Sequence, residues 1–360
     1  MPWNWEQPDW PRFTYKKEGL PEKERKFLLG AGSAFAYLKD ISKDEYHQFI
    51  IEVLSIEGLE SARIEGESLD RESLQSSIRK HFGLKGTKKK DAHKEAGMAD
   101  LLYSVYKTFD IPLTHKMLNE WHQQLFKETT HLENLGQYRS HDDPMQIVSN
   151  RTHRVYFEAP PSKIVSKEME KFIKWFNEDS VSLPVLERAS IAHVYFESIH
   201  PFEDGNGRIG RLLVEKILSQ GIGRPTLIAV SRVLEQNKKG YYEALGKCNR
   251  TLAITPWVNF MSSAILQAQQ DSMKHLFFLI QKSKLLTELK DKLNPRQEKV
   301  LIRMFKEGPV GFKGGLSADN YLTITKTSRA TATRDLTDLV EMGALVKTGE
   351  LRHTRYYLAS

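Results

Sequence analysis

The stretch from 200 to 211, His-Pro-Phe-Glu-Asp-Gly-Asn-Gly-Arg-Ile-Gly-Arg, holds side chains that together suit phosphate chemistry. A histidine titrates near neutral pH, so His200 suits a general base that takes a proton from a hydroxyl. Asp204 offers the hard oxygen ligand that Mg²⁺ on a polyphosphate requires. The stretch therefore predicts a base and a metal ligand close together.

The second half of this stretch predicts an anion-binding turn. Gly205 and Gly207 flank Asn206 just before a helical pattern, so backbone N–H groups can converge there and the helix dipole adds positive potential. A helix N-terminus of this kind binds phosphate. Arg208 and Arg211 lie one helical turn apart and can clamp further phosphate oxygens with paired hydrogen bonds.

Helical segments on both sides must position these groups. The run from 185 to 199 has an amphipathic helical pattern, and Pro201 ends it because proline has no N–H and disfavours helix in the residue before it. Apolar residues recur at helical spacing from 209 to 217, which predicts a second helix. A lone histidine, a Gly-Asn-Gly turn or two arginines on a helix is usually structural, but here all three occur in a usable order.

The stretch resembles the Fic motif, His-x-Phe-x-(Asp/Glu)-Gly-Asn-Gly-Arg-x-x-Arg, and departs from it at no fixed position. The matching residues are His200, Phe202, Asp204, Gly205, Asn206, Gly207, Arg208 and Arg211. The resemblance implies a protein adenylyltransferase, which transfers AMP from ATP to a serine, threonine or tyrosine hydroxyl of a target protein and releases pyrophosphate. It also implies ATP as co-substrate and Mg²⁺ as cofactor.

The same resemblance implies a role for each residue of the motif. His200 would be the catalytic base, Phe202 a buried support for the loop, and Asp204 the ligand of Mg²⁺ between the α- and β-phosphates. Arg208 and Arg211 would bind the β- and γ-phosphates. Further phosphate contacts would come from the turn itself: Gly205, Asn206 and Gly207.

A segment far upstream resembles the inhibitory motif of the same family, (Ser/Thr)-x-x-x-Glu-(Gly/Asn). Ser61 and Glu65 lie four residues apart, on one helical face, and Gly66 can end that helix in a left-handed turn. The resemblance implies that Glu65 reaches Arg211 and blocks the γ-phosphate site, since a carboxylate competes with phosphate for one guanidinium. The sequence therefore predicts an autoinhibited enzyme.

An adenine pocket is predicted further along the chain. Tyr242, Leu245 and Asn249 fall at positions i, i+3 and i+7 of a helical run and so share one face. They provide two apolar walls and a hydrogen-bonding amide, which suits a base. Such a stripe is more often part of a core, but in the Fic family this region lines the base pocket, so the resemblance favours binding.

A β-hairpin is predicted before the motif. Ile147 and Val148 are β-prone, as are Val155 and Tyr156, and residues 149–154 between them are polar. The Fic resemblance implies that this hairpin is a flap that pairs with the backbone of the target protein and presents its hydroxyl. A surface hairpin with packing duties only is the alternative.

Residues 284–360 are predicted to form a separate winged helix-turn-helix domain. Helical patterns follow Pro295, and two short β-prone runs near the C-terminus, separated by a turn with glycine, predict the wing. One helix would carry side chains that enter a DNA major groove: Arg329, Thr331, Thr333 and Arg334. Because such domains also dock proteins or form dimers, DNA binding and a homodimer both stay open.

The composition is that of an ordinary globular protein. Of 360 residues, 40% are hydrophobic and 28% are charged, and the net charge of +7 permits binding of polyanions such as nucleotides or nucleic acid. No run reaches the length of a membrane span, and the first residues lack the pattern of a signal peptide. The single cysteine, Cys248, excludes an internal disulfide. The sequence therefore predicts a cytoplasmic protein with no membrane partner.

The predicted fold is mainly α-helical. It comprises a helical N-terminal region with an aromatic arm and the inhibitory helix at 1–92, a Fic helical core with the β-hairpin flap at 93–283, and the winged helix-turn-helix domain at 284–360. The arm is rich in tryptophan and interrupted by prolines, which predicts an irregular segment that packs on the body.

Two classes of function compete. The first is the autoinhibited AMP transferase, acting on another protein or on itself. The second is a DNA-binding transcriptional regulator whose Fic core senses a nucleotide; the complete motif favours the first class, because a sensor would not need His200. Removal of AMP, with Glu65 positioning an attacking water, stays open as a variant. Transfer of another phosphorylated group is a further variant, and the intact Gly-Asn-Gly turn argues against it.

Overall fold

The chain divides into two compact units, Met1–Ser272 and Met273–Ser360. A computed structural model describes residues 2–86, 93–127, 132–148, 155–308, 311–312 and 314–359. The polar loop of the predicted hairpin, 149–154, lies outside the described residues. The domain boundaries expected at 92/93 and 283/284 stay predictions.

The first unit is built mainly from α-helices, and one antiparallel hairpin accompanies them. Its elements are α1 (Leu20–Asp40), α2 (Lys43–Ile64), α3 (Arg71–His81), α4 (His93–Lys107), α5 (His115–Leu125), β1 (Gln146–Val148), β2 (Val155–Glu158), α6 (Ser162–Lys174), α7 (Val185–Ile199), α8 (Asn206–Ile222), α9 (Val230–Gln236), α10 (Lys238–Lys247) and α11 (Thr255–Glu288), which runs past the boundary at Ser272. The helical character and the hairpin predicted from the sequence are both confirmed. In the described residues no helix is both long and apolar enough to cross a bilayer.

Helix α7 is the central helix of this unit. Every residue from Leu186 to Ile199 is buried, and α7 contacts α1, α6, α8 and the N-terminal turn. The amphipathic character expected for this helix is therefore wrong, because neighbours cover it on all sides. Its C-terminus and the N-terminus of α8 face the same loop, which carries the motif.

The aromatic arm packs on the body through specific polar contacts. Trp5 donates from Nε1 to the carbonyl oxygen of Glu158 at 2.7 Å, and Trp10 donates from Nε1 to a carboxylate oxygen of Glu168 at 2.8 Å. Such bonds let each indole bury its ring without leaving its N–H unpaired. The arm therefore fixes the base of the hairpin strand β2 and one side of α6.

The hairpin pairs β1 with β2 in antiparallel register. Ile147 lies opposite Phe157, and Val148 opposite Val155. Phe157 is buried against Trp3, with ring centroids 5.4 Å apart. Strand β2 is thus anchored to the arm through Phe157, whereas all three residues of β1 are exposed.

The second unit has its own helices, hairpin and core. The elements are α12 (Pro295–Lys306), α13 (Ala318–Thr325), α14 (Arg329–Glu341), β3 (Leu345–Thr348) and β4 (Arg355–Leu358), the last two antiparallel. Buried Asp335 accepts a bond from Tyr321 at 2.9 Å and pairs with Arg296 at 2.8 Å, which ties α12, α13 and α14 together. This order of elements agrees with a winged helix-turn-helix, an assignment that stays a prediction.

Candidate active site

The loop between α7 and α8 is held by a buried arginine that the sequence analysis does not single out. His200 ends α7 with a left-handed backbone, φ 49° and ψ 61°. Arg139 is 2% exposed and donates from Nε to the carbonyl oxygen of His200 at 2.8 Å. Its backbone N–H donates to the carbonyl oxygen of Pro201 at 2.9 Å. No spacing in the sequence links residue 139 to the motif, so only the fold reveals this contact.

The imidazole of His200 is oriented by Glu197, one turn earlier on α7. Nδ1 of His200 lies 3.3 Å from the carbonyl oxygen and 3.7 Å from Oε2 of Glu197. A proton on Nδ1 faces these acceptors and leaves the lone pair on Nε2. Burial, and then the positive charge of Arg139, lowers the pKa of His200 to about 4. The ring is therefore neutral at neutral pH, which is the state that a general base needs.

Asn206 shapes the motif loop with its side chain. Oδ1 accepts a bond from the N–H of Phe202 at 2.9 Å, and Nδ2 donates to the Phe202 carbonyl oxygen at 2.8 Å. Phe202 is fully buried, as expected, and stacks on His122 with ring centroids 4.3 Å apart. The side-chain amide of Asn206 is thus engaged within the loop, and the phosphate contact expected of this residue stays a prediction.

The start of α8 needs both of its glycines. Gly205 precedes the helix with φ 82°, a left-handed conformation that favours glycine. A Cβ at Gly207 would lie 2.3 Å from Oε1 of Glu65 and 3.0 Å from Nη1 of Arg211, so a side chain there would push these two ends aside and disturb their ion pair. The N–H groups in the first turn of a helix have no partner within that helix, and this end of α8 therefore suits an anion.

Arg211 is enclosed by the end of α2. Its Nε donates to Oγ of Ser61 at 3.0 Å, Nη2 donates to the Ser61 carbonyl oxygen at 2.9 Å, and Nη2 lies 2.8 Å from Oε1 of Glu65. Burial acts to lower the pKa of Arg211, but Glu65, Tyr241 and Glu197 together outweigh it and raise that pKa. Gly66 has φ 84° and ends the segment. The structure thus places Glu65 against Arg211, where the sequence analysis expects it.

Arg208 is bound by two carboxylates. Its side chain is 3% exposed; Nη1 lies 3.0 Å from Oε2 of Glu67, and Nη2 lies 3.1 Å from Oδ1 of Asp204. The guanidinium also lies over the ring of Phe126, 4.8 Å from its centroid. Glu67 is not among the residues predicted from the sequence. Its position two residues after Glu65 was the one feature that could have indicated it.

Asp204 can serve as one metal ligand among several. Its side chain is 46% exposed, and Oδ1 accepts bonds from Arg208 and from the N–H of Gly205. Within the described ranges no group of three histidine, cysteine or acidic side chains could hold a metal ion. A single exposed carboxylate fits Mg²⁺, which usually keeps several waters and takes further ligands from phosphates.

Two buried titratable groups of α7, Glu197 and His193, lie close enough to Arg211 to feel its charge. Burial, and then the negative charge of Glu65, raises the pKa of Glu197 to about 8 against the opposing effect of Arg211. His193 is fully buried, and its Nε2 lies 3.1 Å from the hydroxyl of Tyr241. Burial, assisted by Arg211, lowers the pKa of His193 to about 3. Both side chains are therefore predominantly uncharged at neutral pH.

The helix predicted to carry the adenine pocket ends earlier than expected. Helix α10 stops at Lys247, and Asn249 lies in the 3-10 turn Cys248–Arg250. The single helical face predicted for Tyr242, Leu245 and Asn249 is therefore wrong, because only the first two lie on α10.

The two polar residues of this group contact different neighbours. Tyr242 is 44% exposed, and its hydroxyl donates to the carbonyl oxygen of Ile64 at the end of α2, at 3.2 Å. Asn249 donates from Nδ2 to the carbonyl oxygen of Tyr156 on β2, at 3.1 Å. The segment after α9 thus bridges α2 and the hairpin.

The hairpin leaves apolar side chains in solvent. The exposed fractions are 41% for Ile147, 45% for Val148 and 53% for Tyr156, and Val155 is partly buried.

In the second unit, α14 exposes Arg329, Thr333 and Arg334 and partly exposes Thr331, and Arg329 pairs with Asp319. Both sets of residues are thus accessible, as their predicted binding roles require.

Two known domain families match parts of the chain. Residues 3–84 match a domain of unknown function (DUF4172), and residues 112–218 match the Fic/DOC family. Residues 112–218 form a Fic domain. This domain contains the hairpin and the whole motif, and the upstream match contains the segment 61–66 that the sequence predicts to be inhibitory.

Curated proteins named protein adenylyltransferase are similar to part of this chain. Protein adenylyltransferase fic-1 of Caenorhabditis elegans is 30% identical over 139 residues, which are 37% of this chain and 26% of the relative. Protein adenylyltransferase Fic of Drosophila erecta is 27% identical over 248 residues, 67% of this chain and 44% of the relative. The chain therefore spans less than half the length of these relatives.

Solved structures confirm the Fic fold. A Fic family protein from Desulfovibrio desulfuricans has a TM-score of 0.55 at 20% identity and covers 97% of this chain and 98% of its own. A Fic domain-containing signaling protein from Bacteroides thetaiotaomicron has a TM-score of 0.54 at 22% identity and covers 71% and 97%. At these identities the likeness establishes the fold alone.

Proposed function

We propose that this chain is a protein adenylyltransferase that transfers AMP from ATP to a serine, threonine or tyrosine hydroxyl of a target protein. The observation that carries the proposal is His200, with its Nδ1 facing Glu197, beside a glycine turn whose helix holds two buried arginines, Arg208 and Arg211. The curated relatives named protein adenylyltransferase, one of them aligned over 67% of this chain, support the same reaction.

In the proposed reaction, Nε2 of His200 takes the proton of the target hydroxyl while its oxygen attacks the α-phosphorus of ATP. A new oxygen–phosphorus bond forms as the bond to pyrophosphate breaks, and that electron pair leaves with pyrophosphate. Arg208, Arg211 and the first N–H groups of α8 stabilise the negative charge on the leaving group. Mg²⁺ held by Asp204 would supply further neutralisation of the phosphates.

We place the adenine of ATP and the target protein in neighbouring sites. Tyr242 and Leu245 form apolar walls for adenine, and the side-chain amide of Asn249 supplies a hydrogen-bonding group. The bond from Asn249 to Tyr156 supports a base pocket next to the flap. The exposed strands of the flap then pair with the target backbone, which leaves the target's side chains free to vary.

The enzyme is autoinhibited in this proposal. Arg211 is 1% exposed, and Ser61 and Glu65 occupy its Nε and Nη2. The γ-phosphate of ATP cannot bind these donors until Glu65 moves, because two anions repel each other at one guanidinium. The target is another protein or a second copy of this chain.

A second role, DNA binding by the C-terminal unit, is supported by the basic side chains that α14 exposes. If α14 enters a major groove, Arg334→Ala should weaken a DNA mobility shift and reduce its dependence on salt, since each phosphate contact releases counterions. A shift that is unchanged by this substitution would remove the role.

The proposed transfer is tested by comparing wild type with Glu65→Gly and with Glu65→Gly/His200→Ala in Mg²⁺ and ATP. Intact-mass spectrometry should find the most AMP adduct on Glu65→Gly, self-modification included. Removing the base should lower the rate by about 100-fold or more, while calorimetry shows an unchanged affinity for ATP. Equal adduct formation by the double variant would refute the assignment of His200.

A further inference from the structure

The turn after α2 places a carboxylate on each of the two motif arginines. Glu65 lies 2.8 Å from Nη2 of Arg211, and Glu67 lies 3.0 Å from Nη1 of Arg208. The inhibitory motif accounts for the first contact only. Glu67 comes from the same turn and occupies the arginine that the β-phosphate would need.

Backbone hydrogen bonds fix the geometry of this turn. Gly66 has φ 84°; its N–H donates to the carbonyl oxygen of Arg63, and the N–H of Glu67 donates to that of Ala62, each at 3.0 Å. These two bonds define a Schellman motif, in which a left-handed glycine ends a helix. The side chains on both sides of Gly66 therefore approach α8 from one ordered segment.

Glu67 can leave Arg208 more readily than Arg208 can move. Arg208 is 3% exposed and is also held by Asp204 and by the ring of Phe126, whereas the side chain of Glu67 is 31% exposed. A carboxylate at the edge of water can turn outward and regain its hydration, while a buried guanidinium cannot. A phosphate that takes Nη1 of Arg208 therefore has to displace Glu67.

We propose that Glu67 is a second competitor for the nucleotide, which holds Arg208 against the β-phosphate as Glu65 holds Arg211 against the γ-phosphate. The inference rests on the proposed function, because it takes the motif as the site of the nucleotide phosphates. It goes further, since removal of Glu65 alone leaves one phosphate-binding arginine occupied. ADP has a β-phosphate but no γ-phosphate, so ADP separates the effects of the two carboxylates.

The test measures ADP affinity by calorimetry in Mg²⁺ for wild type, Glu67→Gln, Glu65→Gly and Glu60→Gln. Glu67→Gln keeps the shape and one acceptor for Arg208 but removes the charge, so it should bind ADP about tenfold more tightly than wild type. Glu65→Gly should bind ADP much as wild type does. Glu60→Gln is the matched control, because Glu60 lies on α2 and pairs with Arg63 at 2.7 Å.

The transfer assay gives the complementary result. Glu65→Gly/Glu67→Gln should have a KM for ATP about tenfold below that of Glu65→Gly, because both arginines are then available. Unchanged ADP binding by Glu67→Gln would mean that Glu67 does not compete with the phosphate, and weaker binding would mean that it orients Arg208 for phosphate; either result would overturn the proposal. Binding needs no turnover, so predicted ADP affinities without any AMP adduct would refute the transferase and leave the competition by Glu67 standing.

Discussion

Burial sets the protonation state of the residues around the motif. The same loss of water that lowers the pKa of His200 to about 4 raises the pKa of Glu197 to about 8. Desolvation disfavours the charged form of each group, so a base and an acid in contact are both neutral. His200 can therefore accept a proton at neutral pH without first giving one up.

Glu197 makes the stability of the fold depend on pH. Its pKa of about 8 in the folded state exceeds its ordinary value of 4.5. Between these values the folded state holds a proton that the unfolded state has lost, so this group makes the fold less stable as pH rises, by at most ~1.4 kcal/mol per pH unit. Urea unfolding at pH 5 and pH 8 should show a smaller loss for Glu197→Gln than for wild type.

The control for this measurement lies on the same helix. Glu187 is also buried on α7, where it bonds to the hydroxyl of Tyr15. Glu187→Gln should keep the wild-type change between pH 5 and pH 8, because Glu197 is still present. If Glu197→Gln keeps that change as well, the proton is not held at Glu197.

The sequence predicts the residues of the motif because their chemistry is local. His200, Asp204 and the glycine turn lie in one short stretch, so their types and spacing indicate the site directly. Arg139 binds the His200 carbonyl oxygen across 61 positions of chain, and no spacing encodes that distance. Glu197 looks like one more residue of a helix until the fold shows how deeply it is buried.

The candidate site forms where the ends of two helices meet. The C-terminal turn of α2 meets the N-terminal turn of α8, and the bond from Arg211 to Ser61 joins residues 150 positions apart. Helical spacing places Ser61 and Glu65 on one face, but it does not say what that face meets; the resemblance to the inhibitory motif supplied the partner. The end of α10 was not predictable in this way, because residues 247–250 contain no glycine or proline that would mark the end of a helix. The predicted helical face therefore included Asn249, which lies beyond the last residue of α10.

The whole molecule has a separate core in each of its two units. In the C-terminal unit, Leu336 is fully buried in a cluster with Leu301, Tyr321 and Leu339. The mainly helical fold is predictable from apolar spacing, which repeats along the chain. The complete burial of α7 is not predictable from this spacing, because it depends on how distant segments such as the aromatic arm pack against the helix.

The separate cores predict that damage to one unit spares the chemistry of the other. Leu336→Ala should destabilise the C-terminal unit by about 2–5 kcal/mol through the cavity it leaves, while AMP transfer by the Glu65→Gly protein is unchanged. Leu351→Ala is the control, since Leu351 is 93% exposed in the same unit. Differential scanning calorimetry should show one lowered transition for Leu336→Ala and none for Leu351→Ala. A lowered midpoint for both transitions would contradict the independence of the cores.

The most direct test of the proposed AMP transfer is to identify the group that the protein takes from ATP. The Glu65→Gly protein would be incubated with Mg²⁺ and with ATP that carries a radioactive label on either the α- or the γ-phosphate, and labelled protein would be counted. AMP transfer gives label from α-labelled ATP only, because the bond broken joins the α-phosphorus to pyrophosphate. Label from γ-labelled ATP would contradict it, since the nucleotide would then be reversed in the site and the chain would transfer phosphate.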